Sequence, residues 1–120
     1  MPLKLGLIGA GAIGGAVIDM LRNDPALEIE VPAVLVRTPR PDDLSPLHTT
    51  DADRFFAERF DAVLEGAGHQ AVRDHGERVL ASGADLIATS VGAFTDDALL
   101  QQLVSQARSA GSRLIIPSAG

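Results

Sequence analysis

The chain has 120 residues, 46% of them hydrophobic and 22% charged, which suits one domain with a core that needs no metal or disulfide staple. A formal net charge of −6 without a basic tract argues against a nucleic-acid partner, since phosphate backbones are bound by positive surfaces that release counterions. The absence of cysteine excludes a disulfide framework, thiol chemistry and a zinc–thiolate site, and leaves the cytoplasm as the expected compartment.

Aromatic residues make up only 3% of the chain, so the core must be aliphatic, as in parallel sheets buried on both faces. Lys4 and the uncharged run after it superficially imitate a signal peptide. Glycines interrupt that run, however, and it is too short to span a bilayer, so neither a targeting nor a membrane segment is expected.

In chain order, strands are predicted at residues 3–8, 33–36, 61–64, 85–88 and 113–116, each a short aliphatic run bounded by Gly, Pro or polar residues. Pro32 is tolerable only at a strand start. Helical periodicity falls between the strands. The first helix, residues 12–22, places Ile13, Val17, Met20 and Leu21 on one face and is stopped by Asn23-Asp24-Pro25. Residues 37–50, rich in Pro, Asp, Ser and Thr, read as a loop, with a short helix near residues 53–57. A second main helix over residues 70–81 aligns Val72, Val79 and Leu80, with Gly76 between and Gly83 beyond its end. In the third, Thr95 is the expected cap, Asp96 and Asp97 complement the dipole, Leu99, Leu100, Leu103, Val104 and Ala107 form the stripe, and Gly111 ends it. Alternation of this kind predicts a Rossmann-type, doubly wound α/β fold with about five parallel strands in the order 3-2-1-4-5 across residues 1–120.

The first chemical motif is Gly9-Ala10-Gly11-Ala12-Ile13-Gly14, a G-x-G-x-x-G that follows a strand and opens a helix, as dinucleotide binding requires. The first glycine permits the turn, the second lets backbone approach a pyrophosphate, and the third lets helix and strand pack closely. The helix start then offers free N–H groups and the positive dipole end to the phosphates. Such a turn could serve packing alone, but its position on the first strand favours binding.

At the end of the second strand, where an acidic residue would hold the ribose 2′-hydroxyl of NAD, the chain has Arg37 and Thr38, with Arg40 nearby. These suit a 2′-phosphate, so the cofactor is expected to be NADP or NAD. Glu28 and Glu30 are at the wrong end of that strand to reach the ribose. Two small-residue turns at later strand ends, Glu65-Gly66-Ala67-Gly68-His69 and Ser90-Val91-Gly92-Ala93, lie at the edge where open α/β sheets bind ligands. Candidate contacts there are Ala67, Gly68, His69, Ser90, Val91 and Gly92. His69 reads as a cap or surface group more readily than as an acid, and His48 and His75 have less support. The chain has no nucleophile elbow, H-E-x-x-H or metal-ligand cluster.

These segments resemble the aspartate dehydrogenases over nearly the whole chain, through residues 9–14, 65–72, 84–93 and 113–118. The resemblance implies NAD(P)-dependent oxidative deamination of L-aspartate through iminoaspartate to oxaloacetate and ammonia, with supply of iminoaspartate to pyridine-nucleotide synthesis. That family joins its cofactor domain to a C-terminal catalytic domain carrying a histidine. The corresponding segment is expected beyond Gly120, so no catalytic residue is assigned here and the chain is expected to bind cofactor without turning over aspartate alone. Where the family reads Pro-Ser-Gly-Ala, this chain departs with Pro117-Ser118-Ala119-Gly120, and the resemblance implies Ala119, one position earlier than the family's alanine, as a cofactor contact. A domain apart from its partner is also expected to expose apolar surface and self-associate. The other readings are a homoserine dehydrogenase-like enzyme and a stand-alone dinucleotide-binding or redox-sensing module.

Overall fold

The computed structural model describes residues 2–41 and 46–117. Among these, every strand pairing is parallel. Strand β1 (Leu3–Ile8) is followed by helix α1 (Ala12–Asn23), strands β2 (Ile29–Glu30), β3 (Ala33–Leu35) and β4 (Leu47–Thr49), and helix α2 (Ala52–Ala57). Then come β5 (Ala62–Glu65), α3 (His69–Ala81), β6 (Asp85–Ala88), a 3-10 turn (Val91–Thr95), α4 (Asp97–Ala110) and β7 (Leu114–Ile115). The sheet runs β4-β3-β1-β5-β6-β7, with β2 pairing to the amino end of β1.

The 3-2-1-4-5 order is thus present and extended by one strand, but its third member is β4, inside the segment expected to be a loop. The predicted strand at residues 61–64 instead lies directly beside β1, with Leu7 paired to Leu64. β4 has only three residues and no alternation, and it is held by its ladder to β3, a tertiary contact that local pattern does not encode. Pro32 falls between β2 and β3. Lacking an N–H, it interrupts the ladder and divides one line of pairing with β1 into two pieces.

Alternation along the strands divides the core between the two sheet faces. Leu5, Leu7, Val34, Val36 and Ala62 face Val17 and Ile18 of α1. Ile8, Leu35, Val63, Leu86 and Ala88 face Phe55 of α2, Val72, Val79 and Leu80 of α3, and Leu99, Leu103 and Ala107 of α4. Helices therefore cover both faces, which explains why β1 is buried from Leu5 to Ile8 without a polar interruption.

The apolar face of α1 differs from the predicted one. Gly14, Val17, Ile18 and Leu21 turn inward at i, i+3, i+4 and i+7, while Ile13 is 41% and Met20 56% exposed. Close approach of Gly14 to β1 sets this rotation. The predicted stripes of α3 and α4 are found as expected, and Gly76 lets α3 approach Leu103 and Leu86. The cap of α4 is Asp96 rather than Thr95: Asp96 accepts from the Leu99 N–H at 3.2 Å, while the Thr95 hydroxyl donates to the Gly92 carbonyl and closes the 3-10 turn. Arg73 on α3 hydrogen-bonds the other Asp96 oxygen and holds its carboxyl below the usual carboxylate range.

The amino-terminal edge of the sheet is fastened by two aspartates. Asp61 accepts from the Lys4 N–H at 2.8 Å. Asp85 accepts from the backbone N–H and the guanidinium of Arg113, whose hydrogen bonds hold its carboxyl below the usual range. No helix among the described residues is long and apolar enough to cross a membrane.

Candidate functional site

The opposite, carboxyl edge carries the glycine-rich turns. Gly9 leaves β1 with φ +99°, a conformation that glycine adopts without a Cβ penalty, and its N–H donates to the Leu35 carbonyl at 2.8 Å. It also lies so close to Ala67 that a Cβ there would come within 2.9 Å of the Ala67 methyl. A Cβ on Gly14 would run into the Gly9 carbonyl oxygen, so the third glycine of the motif brings α1 onto the end of β1. Gly11 is the N-cap of α1 and faces open space, with nothing within 4 Å of an added Cβ.

The helix starts separate into two kinds. α2 and α4 begin with Asp51 and Asp96, whose carboxylates accept the first N–H groups, and each has a further acid in its first turn. α1 and α3 begin with Gly11 and Gly68, with neither a side-chain cap nor an acid in the first turn. The positive end of α1 is therefore not compensated by a capping or first-turn carboxylate.

Beside it opens a cleft of about 550 Å³. One wall is Gly9, Ala10 and Gly11; a second is Val36, Arg37, Thr38 and Arg40; the third is Gly66, Ala67, Gln70, Ala71, Asp74 and His75. Of the expected contacts, Gly9, Ala10, Gly11, Arg37, Thr38 and Ala67 thus meet around one space. Ala12, Ile13 and Gly14 form the adjoining first turn of α1, and Gly66 packs on Ile13. Glu30 pairs with Lys4 at the far edge, away from the cleft.

His75, given least support from sequence, lines the cleft, whereas His69 does not. Gln70, Ala71, Asp74 and His75 share one face of α3, and the Gln70 amide donates to Asp74 at 2.8 Å. The i, i+4 spacing of Gln70 and Asp74 is the signal that could have drawn attention to this face. Burial lowers the pKa of His75; the Asp74 charge opposes that shift and the Arg78 charge adds to it.

The remaining expected contacts, Gly68, His69, Ser90, Val91 and Gly92, form a second group at the ends of β5 and β6. The His69 ring lies on Gly92, where a Cβ would be 2.5 Å from ring atoms. Glu65 joins the two turns. It is fully buried at the end of β5, and its carboxylate accepts from the Ala67 and Gly68 N–H groups and from the Ser90 N–H and hydroxyl. Glu65, expected only as the first residue of the 65–69 turn and not among the candidate contacts, is instead the last residue of β5. Ala119 lies outside the described residues.

The family model for the homoserine dehydrogenase NAD-binding domain matches residues 9–117. L-aspartate dehydrogenase 1 of Bordetella pertussis is 38% identical over 118 residues, covering 98% of this chain and 45% of that protein. The chain thus spans less than half the length of this relative. Among solved structures, GenD2 from gentamicin A biosynthesis, in complex with NAD, is similar with a TM-score of 0.80 at 21% identity, over 96% of this chain and 34% of that one. Aspartate dehydrogenase from Thermotoga maritima is similar with a TM-score of 0.71 at 16% identity, over 98% and 46%. Both structural likenesses bear on the fold alone, a Rossmann-type parallel α/β sheet. With a match that runs from the first glycine of the fingerprint to Pro117, the chain belongs to the family of homoserine dehydrogenase NAD-binding domains, and L-aspartate dehydrogenases are among its relatives.

Proposed function

We propose that this chain holds NADP or NAD across its carboxyl edge and serves, in the cytoplasm, as the cofactor-binding part of an oxidoreductase that oxidatively deaminates L-aspartate. The observation that carries the cofactor reading is the uncapped start of α1, with open space before Gly11 and the 550 Å³ cleft beside it. In this reading the pyrophosphate lies against Gly9, Ala10, Gly11 and the first-turn N–H groups of Ala12, Ile13 and Gly14. The adenosine half fills the cleft between Arg37, Thr38 and the α3 face, and the nicotinamide half follows the turns at residues 67–69 and 90–92.

Arg37 and Thr38 replace the acidic residue that would accept hydrogen bonds from a ribose diol, and a guanidinium favours a 2′-phosphate there. NADP is accordingly the preferred partner. The substrate class rests on the likeness to L-aspartate dehydrogenases, which extends over 98% of this chain. Deamination is proposed for the domain acting with the substrate-holding part such enzymes carry, because binding the substrate carboxylates needs cationic clamps beyond the residues assigned here.

Titrating the chain with NADH and NADPH, following nicotinamide fluorescence, tests the cofactor reading. Saturable binding is expected, and Arg37→Ala should weaken NADPH more than NADH, by about tenfold for loss of one charge-assisted contact. No binding of either nucleotide would overturn the assignment, and an intrinsic preference for NADH would overturn the role of Arg37.

A further inference from the structure

Glu65 is an acid buried where acids are costly. Its side chain is fully enclosed, and among the described residues none of the ion pairs involves it. Such a group is tolerated only when hydrogen bonds replace its lost hydration. Oε2 accepts from the Ala67 and Gly68 N–H groups at 2.8 Å each and from the Ser90 hydroxyl at 2.7 Å, and Oε1 accepts from the Ser90 N–H at 3.1 Å. Its own backbone carbonyl accepts from the Thr89 hydroxyl at 2.8 Å and the Thr89 N–H at 3.2 Å.

Every partner is a donor, and the donors belong to two separate turns. Ala67 and Gly68 lead into α3, with Gly68 at φ +125°, while Thr89 and Ser90 lead from β6 into the 3-10 turn. The Thr89 donors are met by the Glu65 main-chain carbonyl, and an acceptor-only carboxylate with two oxygens answers the other four. Glutamine cannot: one orientation sets its NH2 against the Ser90 N–H, and the other sets it against the Ala67 and Gly68 N–H groups.

We propose that Glu65 is a positioning residue that sets the turn at residues 66–69 against the turn at residues 89–92, and through them places the nicotinamide half of the dinucleotide. The inference rests on the cofactor reading above. It divides the edge into two parts: the adenosine half depends on the cleft beside Arg37, and the nicotinamide half depends on a hydrogen-bonded joint centred on one carboxylate.

Glu65→Gln tests this in the purified chain by two readouts. Without ligand, amide hydrogen exchange at Ala67, Gly68 and Ser90 should quicken by about tenfold or more, while Val63 and Leu86 in the strands keep their rates. With ligand, NADPH affinity should fall by about tenfold while that of adenosine 2′,5′-bisphosphate changes by less than about twofold. Ser90→Ala removes the hydroxyl donor alone and should show the same split at about threefold, keeping the test alive if Glu65→Gln does not fold. Unchanged turn amides, equal losses for both probes, or loss of protection throughout both variants would each overturn the proposal. If the unsubstituted chain binds neither probe, the cofactor reading fails, and the exchange rates alone decide whether Glu65 holds the turns.

Discussion

The carbonyl oxygen of Gly9 lies against the α-carbon of Gly14, leaving no room for a side chain between the end of β1 and the first turn of α1. Gly15, the next residue, has nothing within 4 Å of an added Cβ. Alanine at these neighbours should therefore act with opposite sign. Gly14→Ala overpacks the contact and should cost about 1–3 kcal/mol. Gly15→Ala should raise stability by about 0.5–1 kcal/mol through helix propensity. Urea denaturation of both variants checks this, and a loss at Gly15 would contradict the geometry.

Gly11 allows the site to be separated from the fold. Serine is a good N-cap and would supply the acceptor that α1 lacks, while filling the space proposed for a phosphate. Gly11→Ser should keep or slightly raise thermal stability yet weaken NADPH binding by about tenfold or more. Calorimetry and fluorescence titration of one sample read both effects.

His75 introduces a pH dependence whose sign follows from its surroundings. Burial holds its imidazole below the ordinary value of 6.5, so in the window beneath pH 6.5 the unfolded chain binds more protons than the folded one. The contribution to stability is unimpaired above that value and declines as pH falls towards the folded pKa. His75→Gln should flatten this part of the stability profile, and the His75 ring proton resonance should titrate below pH 6.5.

Phe55 anchors α2 beneath the sheet. It is fully buried, 4.6 Å from the Phe60 ring centroid and 5.0 Å from that of Phe56, and the absence of a side chain at Gly6 makes space for it. Phe55→Ala should cost about 3–5 kcal/mol in chemical denaturation. Since Ala52 of the same helix lines the cleft, nucleotide affinity should fall with it.

Features legible in the sequence were those set by local chemistry. The fingerprint turn, the inward stripes of α3 and α4 and the left-handed C-cap Gly111 follow from period, propensity and the unique freedom of glycine. Others depended on partners distant along the chain. β4 becomes a strand because β3 offers it a ladder, and α1 is rotated by the Gly9–Gly14 contact rather than by its own apolar residues. Glu65 is buried because four donors converge from residues 67, 68 and 90, and His75 reaches the cleft through the placement of α3. Each belongs to the class of facts that a one-dimensional pattern does not contain.

The aspartate fastenings at Lys4–Asp61 and Asp85–Arg113 are on the edge of the sheet away from every ligand-facing turn. Selection can therefore act on the two borders as nearly independent traits. One border can hold the strands in register while the turns of the other vary in sequence, a division that lets a single scaffold diversify without relearning how to fold.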